Sequence, residues 1–65
     1  MFNQNKLKAQ MVLKGKSAKD LCEALKINES TFYRKLNNDG SFTREQIGVI
    51  AKELEIEDLA DIFFS

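Results

Sequence analysis

Four residues, Glu29, Ser30, Thr31 and Arg34, place hydrogen-bonding groups close together in the stretch ESTFYRKLN. An arginine fork can donate to O6 and N7 of guanine. A glutamate can accept from cytosine N4, and a serine or threonine hydroxyl can meet either partner or touch a thymine methyl. That chemistry needs a short rigid element that presents the four outward. The stretch Ser17 to Asn37, SAKDLCEALKINESTFYRKLN, predicts two helices joined by a tight turn. Ser17 followed three residues later by Asp20 is a capping-box pattern, and Leu21 and Leu25 share one face. Asn28 caps the second helix, whose apolar stripe is Phe32 and Leu36. Glu29, Ser30, Thr31, Tyr33, Arg34 and Lys35 are left outside that stripe. A short helix with such a face, held at a steep angle by a partner helix, fits the major groove of a duplex.

The same stretch resembles the helix-turn-helix of the Xre or lambda-repressor-like (Cro-type) family of small phage and bacterial regulators. The resemblance rests on Ser17, Leu21, Cys22, Leu25, Ile27, Asn28, Phe32 and Leu36 in that order. It extends outward to Leu7 and Gly15, and onward to Ile47, Ile50, Ala51 and Leu54. Two positions depart from the family pattern: Lys26 stands where a turn glycine is usual, and Ala18 where glutamine is common. A non-glycine residue at 26 must enter the left-handed region, at a cost of roughly 1 kcal/mol.

The resemblance implies an all-α, five-helix domain over residues 1–65, with the helix-turn-helix proper at about 17–37. It implies base contacts from Glu29, Ser30, Thr31 and Arg34, and phosphate contacts from Ser17, Lys19, Tyr33, Lys35, Asn37, Asn38 and Ser41. Plainer readings stand beside these. Arg34 and Lys35 can be solvated charges. Glu29 can favour its helix N-terminus through the dipole, and Tyr33 can pack toward the second helix.

Composition closes off other chemistry. The chain has no histidine and one cysteine, Cys22, so neither a Cys–His nucleophile nor a zinc site can be assembled. No Gly-rich phosphate loop or metal-ligand spacing is present. The reading is non-enzymatic, with no cofactor, no metal and no small-molecule ligand. A lone cysteine, no secretory signal and no long apolar run point to the reducing cytoplasm and away from a membrane. Net charge is zero, but residues 1–44 hold nine Lys/Arg against four Asp/Glu, and residues 45–65 one against six. A balance of +5 against −5 fits a nucleic-acid face opposite a non-binding one.

Along the chain, helix 1 is expected over about Gln4–Lys14, with Leu7, Met11 and either Val12 or Leu13 inward, and Phe2 folding back onto the core. Gly15 supplies a left-handed helix end. Residues 37–42, NNDGSF, are a loop with an Asp-Gly turn signal, which Phe42 anchors to the core. Thr43 and Gln46 repeat the capping-box pattern for helix 4, about Arg44–Leu54, with Ile47, Ile50, Ala51 and Leu54 inward. A last short helix over 57–64 carries Leu59, Ile62, Phe63 and Phe64, more apolar surface than so small a segment readily buries. These four are the expected homodimer interface. The functional expectation is a sequence-specific double-stranded DNA-binding regulator, a repressor or Cro-like protein of phage or mobile-element origin. The alternative is the same domain used to bind protein, as an anti-repressor or antitoxin would.

Overall fold

A computed structural model describes residues 2–64. Five helices follow one another: α1 Gln4–Leu13, α2 Ala18–Leu25, α3 Glu29–Asn37, α4 Arg44–Leu54 and α5 Leu59–Phe63. Among the described residues there is no strand.

Each helix starts on a side chain that accepts from an amide the helix leaves unbonded. Asn3 accepts from Lys6, and Asn28 from Thr31 at 2.7 Å. Asp58 accepts from Asp61 at 3.3 Å. Ser17 and Thr43 form full capping boxes with Asp20 and Gln46. Helices α1, α2 and α4 share one ending. A left-handed residue, Gly15, Lys26 or Glu55 (φ 66°, 60° and 51°), turns the chain. The next amide then reaches back into the helix: Lys16 to Met11, Ile27 to Cys22, and Ile56 to Ala51 at 2.8, 3.1 and 3.0 Å. This is the Schellman arrangement, which satisfies carbonyls the helix end would orphan. After α2 and α4 the residue past the turn is an isoleucine packed on the core. That contact offsets the left-handed strain at Lys26 and Glu55.

The core consists of Leu7, Leu21, Cys22, Phe32, Leu36, Phe42, Ile50, Leu54, Ile62 and Phe63. Helix α2 packs against α3 and α4, and α1 packs against α5. Phe2 folds back as expected: its ring stands 5.4 Å from that of Phe63 and 6.3 Å from that of Phe42, centre to centre. The Asn3 amide donates to the Ile62 carbonyl at 2.6 Å, which ties the N-terminal segment to α5. The Phe2 ring also lies against Gly40, leaving no room for a Cβ there.

Two expectations are corrected. Neither Val12 nor Leu13 belongs to the inward face of α1; they are 82% and 72% exposed. With Leu7 fully buried, Met11 is one turn on and half-buried, while 12 and 13 rotate away from that stripe. The C-terminal apolar set is divided: Ile62 and Phe63 lie inside the protomer's own core, whereas Leu59 is half-buried and Phe64 is 67% exposed. Ile62 and Phe63 are therefore taken up within the chain's own core, and of the four only Leu59 and Phe64 keep appreciable surface.

Candidate nucleic-acid interface

Helix α3 is fixed from beneath by Phe32 and Leu36. At about 100° per residue, Arg34 lies opposite that stripe, with Ser30 one turn before it and Asn37 one turn after it along the same flank. Ser30, Arg34 and Asn37 are all exposed. Arg34 has no ion-pair partner among the described residues. Its guanidinium is thus a free donor fork at the centre of an outward face.

The other members of the expected base-reading set are placed differently. Thr31 is half-buried on one flank. Glu29 is exposed at the first turn of α3, and its carboxylate comes close enough to α2 to act on Cys22. Burial, with that carboxylate adding to it, pushes the Cys22 thiol up. Glu29 therefore sits beside the α2–α3 crossing, where the dipole of α3 favours it.

The residues expected at phosphates fall into two groups. Around the start of α2, Ser17 gives both its donors to one carboxylate: its amide bonds Asp20 Oδ2 at 2.8 Å and its hydroxyl the same atom at 3.1 Å. Its hydroxyl oxygen in turn accepts from the Asp20 amide at 3.2 Å. Both donors of Ser17 are thus engaged by Asp20 within the chain. The bonds from Ser17 hold the Asp20 carboxyl below its usual value, with Lys16 and Lys19 nearby adding to the effect. This end of α2 thus carries a fixed negative charge. The amides of Ala18 and Lys19 and the exposed Lys19 ammonium remain as donors. Tyr33 reaches toward the same end. It is 47% exposed, packs edge-on against Phe32 at 5.7 Å, and borders a groove with Ala18 of α2.

The second group surrounds the end of α3. The Lys35 ammonium donates to the Ser41 carbonyl at 3.1 Å, and the Lys35 carbonyl accepts from the Ser41 and Asn38 amides. Lys35 clasps the loop that carries Asn38 and Ser41, both exposed. Asn37 accepts from Gln4 Nε2 at 3.3 Å, so α1 steadies this end of the face.

The charge asymmetry of the sequence is partly closed within the fold. Lys6 meets Asp61 at 2.6 Å, Lys16 meets Glu53 at 3.6 Å and Lys14 meets Glu55 at 3.9 Å. These exposed pairs are each worth about 0–1 kcal/mol, but they neutralise three lysines of the basic half. Two residues that the sequence did not point to belong beside the face. Lys8 and Lys16 flank the groove of about 270 Å³ that Tyr33 borders. Period alone gave Lys8 only a place on the polar side of α1, since the groove that α1 shares with α3 was not readable. Asp20 is the third addition, and its signal was present in the capping-box pattern.

Among the described residues no group of His, Cys, Asp and Glu is arranged to hold a metal ion, and no helix is long and apolar enough to cross a membrane. A family model described as a Cro/C1-type HTH DNA-binding domain matches residues 6–63. That span takes in four helices whole and most of α1. No curated protein and no solved structure matches the chain.

Proposed function

Because the chain belongs to the family of Cro/C1-type HTH DNA-binding domains, we propose that it is a sequence-specific transcriptional regulator that reads the major groove with α3. The observation that carries this reading is Arg34: exposed, opposite the buried stripe of α3, and without an acidic partner among the described residues. Its fork suits a guanine, and Ser30, one turn before it, suits a neighbouring base edge. Lys19 and Tyr33 on one side, and Asn37, Asn38 and Ser41 on the other, hold the two flanking phosphate strands. Glu29 acts chiefly as a charge at the N-terminus of its helix, and Thr31 as a flank contact. Lys35 acts through the loop it clasps.

The regulator works in the cytoplasm and represses by occupying its operator, in the manner of a phage or mobile-element switch. A second copy, meeting the first through Leu59 and Phe64, extends the site read. With net charge zero and three lysines internally paired, non-specific affinity is modest and the salt slope shallow. The test is Arg34→Ala titrated against a duplex that the wild type prefers. Loss of one bidentate base contact weakens binding by about 1–3 kcal/mol, roughly 5- to 150-fold, and removes the preference for one guanine. An unchanged affinity on that duplex contradicts the reading of α3.

The protein-binding alternative draws on the exposed Val12 beside Tyr33. It expects no appreciable duplex binding by the wild type at low salt.

A further inference from the structure

We propose that Asp39–Gly40, in the loop between α3 and α4, is a site of spontaneous main-chain modification, where the aspartate closes to a succinimide and reopens as isoaspartate. The chain has aspartates at 20, 39, 58 and 61. Three of them are engaged and crowded. Asp20 accepts both donors of Ser17, Asp58 accepts from the Asp61 amide, and Asp61 is paired with Lys6. Each of these three is followed by a branched aliphatic residue, Leu21, Leu59 or Ile62. Asp39 differs on both counts. It is exposed, and its carboxylate has no hydrogen-bond or ion-pair partner among the described residues. Its neighbour is a glycine, whose missing Cβ lets a group come close to the peptide nitrogen. The amides around that nitrogen are bound: Asn38 and Ser41 donate to the Lys35 carbonyl at 3.3 and 3.2 Å, and Phe42 to the Gly40 carbonyl at 2.6 Å. The Gly40 amide has no acceptor among the described residues. Asp39 and Gly40 both hold positive φ, 54° and 64°. One peptide therefore joins an open carboxyl to an unbonded amide.

Closure needs rotation only about the Cα–C and Cα–Cβ bonds of Asp39. The Gly40 nitrogen attacks Cγ, and the N–Cγ bond forms. One carboxyl oxygen leaves as water, taking the amide proton and a proton from solvent. Water then cleaves either C–N bond of the imide. Cleavage at Cγ restores aspartate. Cleavage at the main-chain carbonyl leaves Gly40 joined through Cγ, which is isoaspartate. No oxidant or cofactor enters. The product lengthens the main chain by a methylene. The loop is pinned by the Lys35–Ser41 clasp, by Phe42 in the core and by the Phe2 ring against Gly40. A longer chain cannot keep all three, and the exposed clasp is the one that yields. If the reading of α3 given above holds, Asn38 and Ser41 are then drawn away from their phosphate. The modification itself does not depend on that reading.

The experiment holds the folded protein at neutral pH, warmed but below its unfolding midpoint, and maps it with trypsin. Residues 36–44, LNNDGSFTR, form one peptide. It is expected to gain a second peak of unchanged mass, with isoaspartate placed at 39 by fragmentation, after a transient species lighter by one water. The peptides that hold Asp20, Asp58 and Asp61 stay single. Asp39→Glu, which would need a larger ring, gives no second peak, and far-ultraviolet dichroism confirms that its fold is kept. Asp39→Asn, a residue that tolerates the left-handed region, loses ammonia in place of water and reaches the same product. A folded wild type that stays unconverted while the chain in urea converts overturns the proposal. So does equal conversion at the other aspartates. Converted protein, separated and titrated against a preferred duplex, is expected to bind roughly tenfold more weakly, as loss of two neutral contacts does. Unchanged affinity overturns the release of the clasp. Absence of any duplex binding by fresh protein contradicts the DNA reading alone and leaves the peptide result standing.

Discussion

Asp20 shows how one side chain serves folding and restrains binding at once. It completes the capping box with Ser17, and in doing so it occupies the donors a phosphate would use. Replacing Asp20 with Asn keeps an oxygen acceptor and removes the charge. The variant is expected to bind duplex more tightly and with a steeper salt dependence than the wild type, by about one added counterion. Fluorescence anisotropy at several salt concentrations measures both, and equal slopes for the two proteins contradict the placement. The same residue gives a pH dependence. Its folded-state value lies below the ordinary 3.8, so its stabilisation is complete above that ordinary value and is lost as pH falls through the lower folded one. The acid limb of stability is therefore flatter in Asp20→Asn, as unfolding midpoints between neutral and strongly acidic pH will show. The capping box was readable from Ser17 and Asp20 alone. That it empties Ser17 of donors was not, because a four-residue pattern does not say which of two partners a hydroxyl prefers.

Helix ends decide how these elements meet. The boundaries of α2, α3 and α4 were readable because each begins on a capping side chain and carries a clear apolar stripe: Leu21 and Leu25, Phe32 and Leu36, Ile50 and Leu54. The ending at Lys26 was expected from the position of the family's usual glycine. The identical ending at Glu55 (φ 51°) was not, since nothing in the residue type announces it. It is the packing of half-buried Ile56 against the core one residue later, a tertiary fact, that holds it there. Lys26 is exposed and left-handed at φ 60°, so Lys26→Gly relieves strain without removing a contact. The expected gain is about 1 kcal/mol, or a rise of about 4–8 °C in the thermal midpoint of a domain this size. A lower midpoint shows that the left-handed turn is not strained. Helix α1 was the least readable element. Apolar residues run without a break from Met11 to Leu13, and only packing against the core decides that Met11 turns inward and its two neighbours face water.

At the scale of the whole molecule, a small core must enlist every large apolar group within reach. Phe2, Phe42 and Phe63 come together from the N-terminal segment, the loop after α3 and the last helix. This closure is why Phe63 is 7% exposed while its neighbour Phe64 is 67% exposed. The sequence shows two adjacent phenylalanines and cannot say which one the Phe2 ring will cover. Phe63→Ser is expected to cost about 3–5 kcal/mol, as emptying a core aromatic site does, a large part of the total for so short a chain. Phe64→Ser stays within about 0.5 kcal/mol of the wild type. Urea unfolding of the two variants side by side measures the difference, and equal losses contradict the assignment of Phe63 to the core. The +5 and −5 halves of the sequence likewise fold against each other through Lys6–Asp61, Lys14–Glu55 and Lys16–Glu53, so the working positive surface is smaller than the sequence alone implies. What remains free, Arg34 and Lys19 above all, lies on α3 and at the start of α2, where the proposed reading needs it. The most direct measurement is selection from a random duplex pool at low salt, with sequencing of the retained molecules. Enrichment of a short motif containing guanine is expected, with loss of the preference at that guanine when Arg34→Ala is put through the same selection. A folded protein that enriches no sequence contradicts the claim that α3 reads DNA.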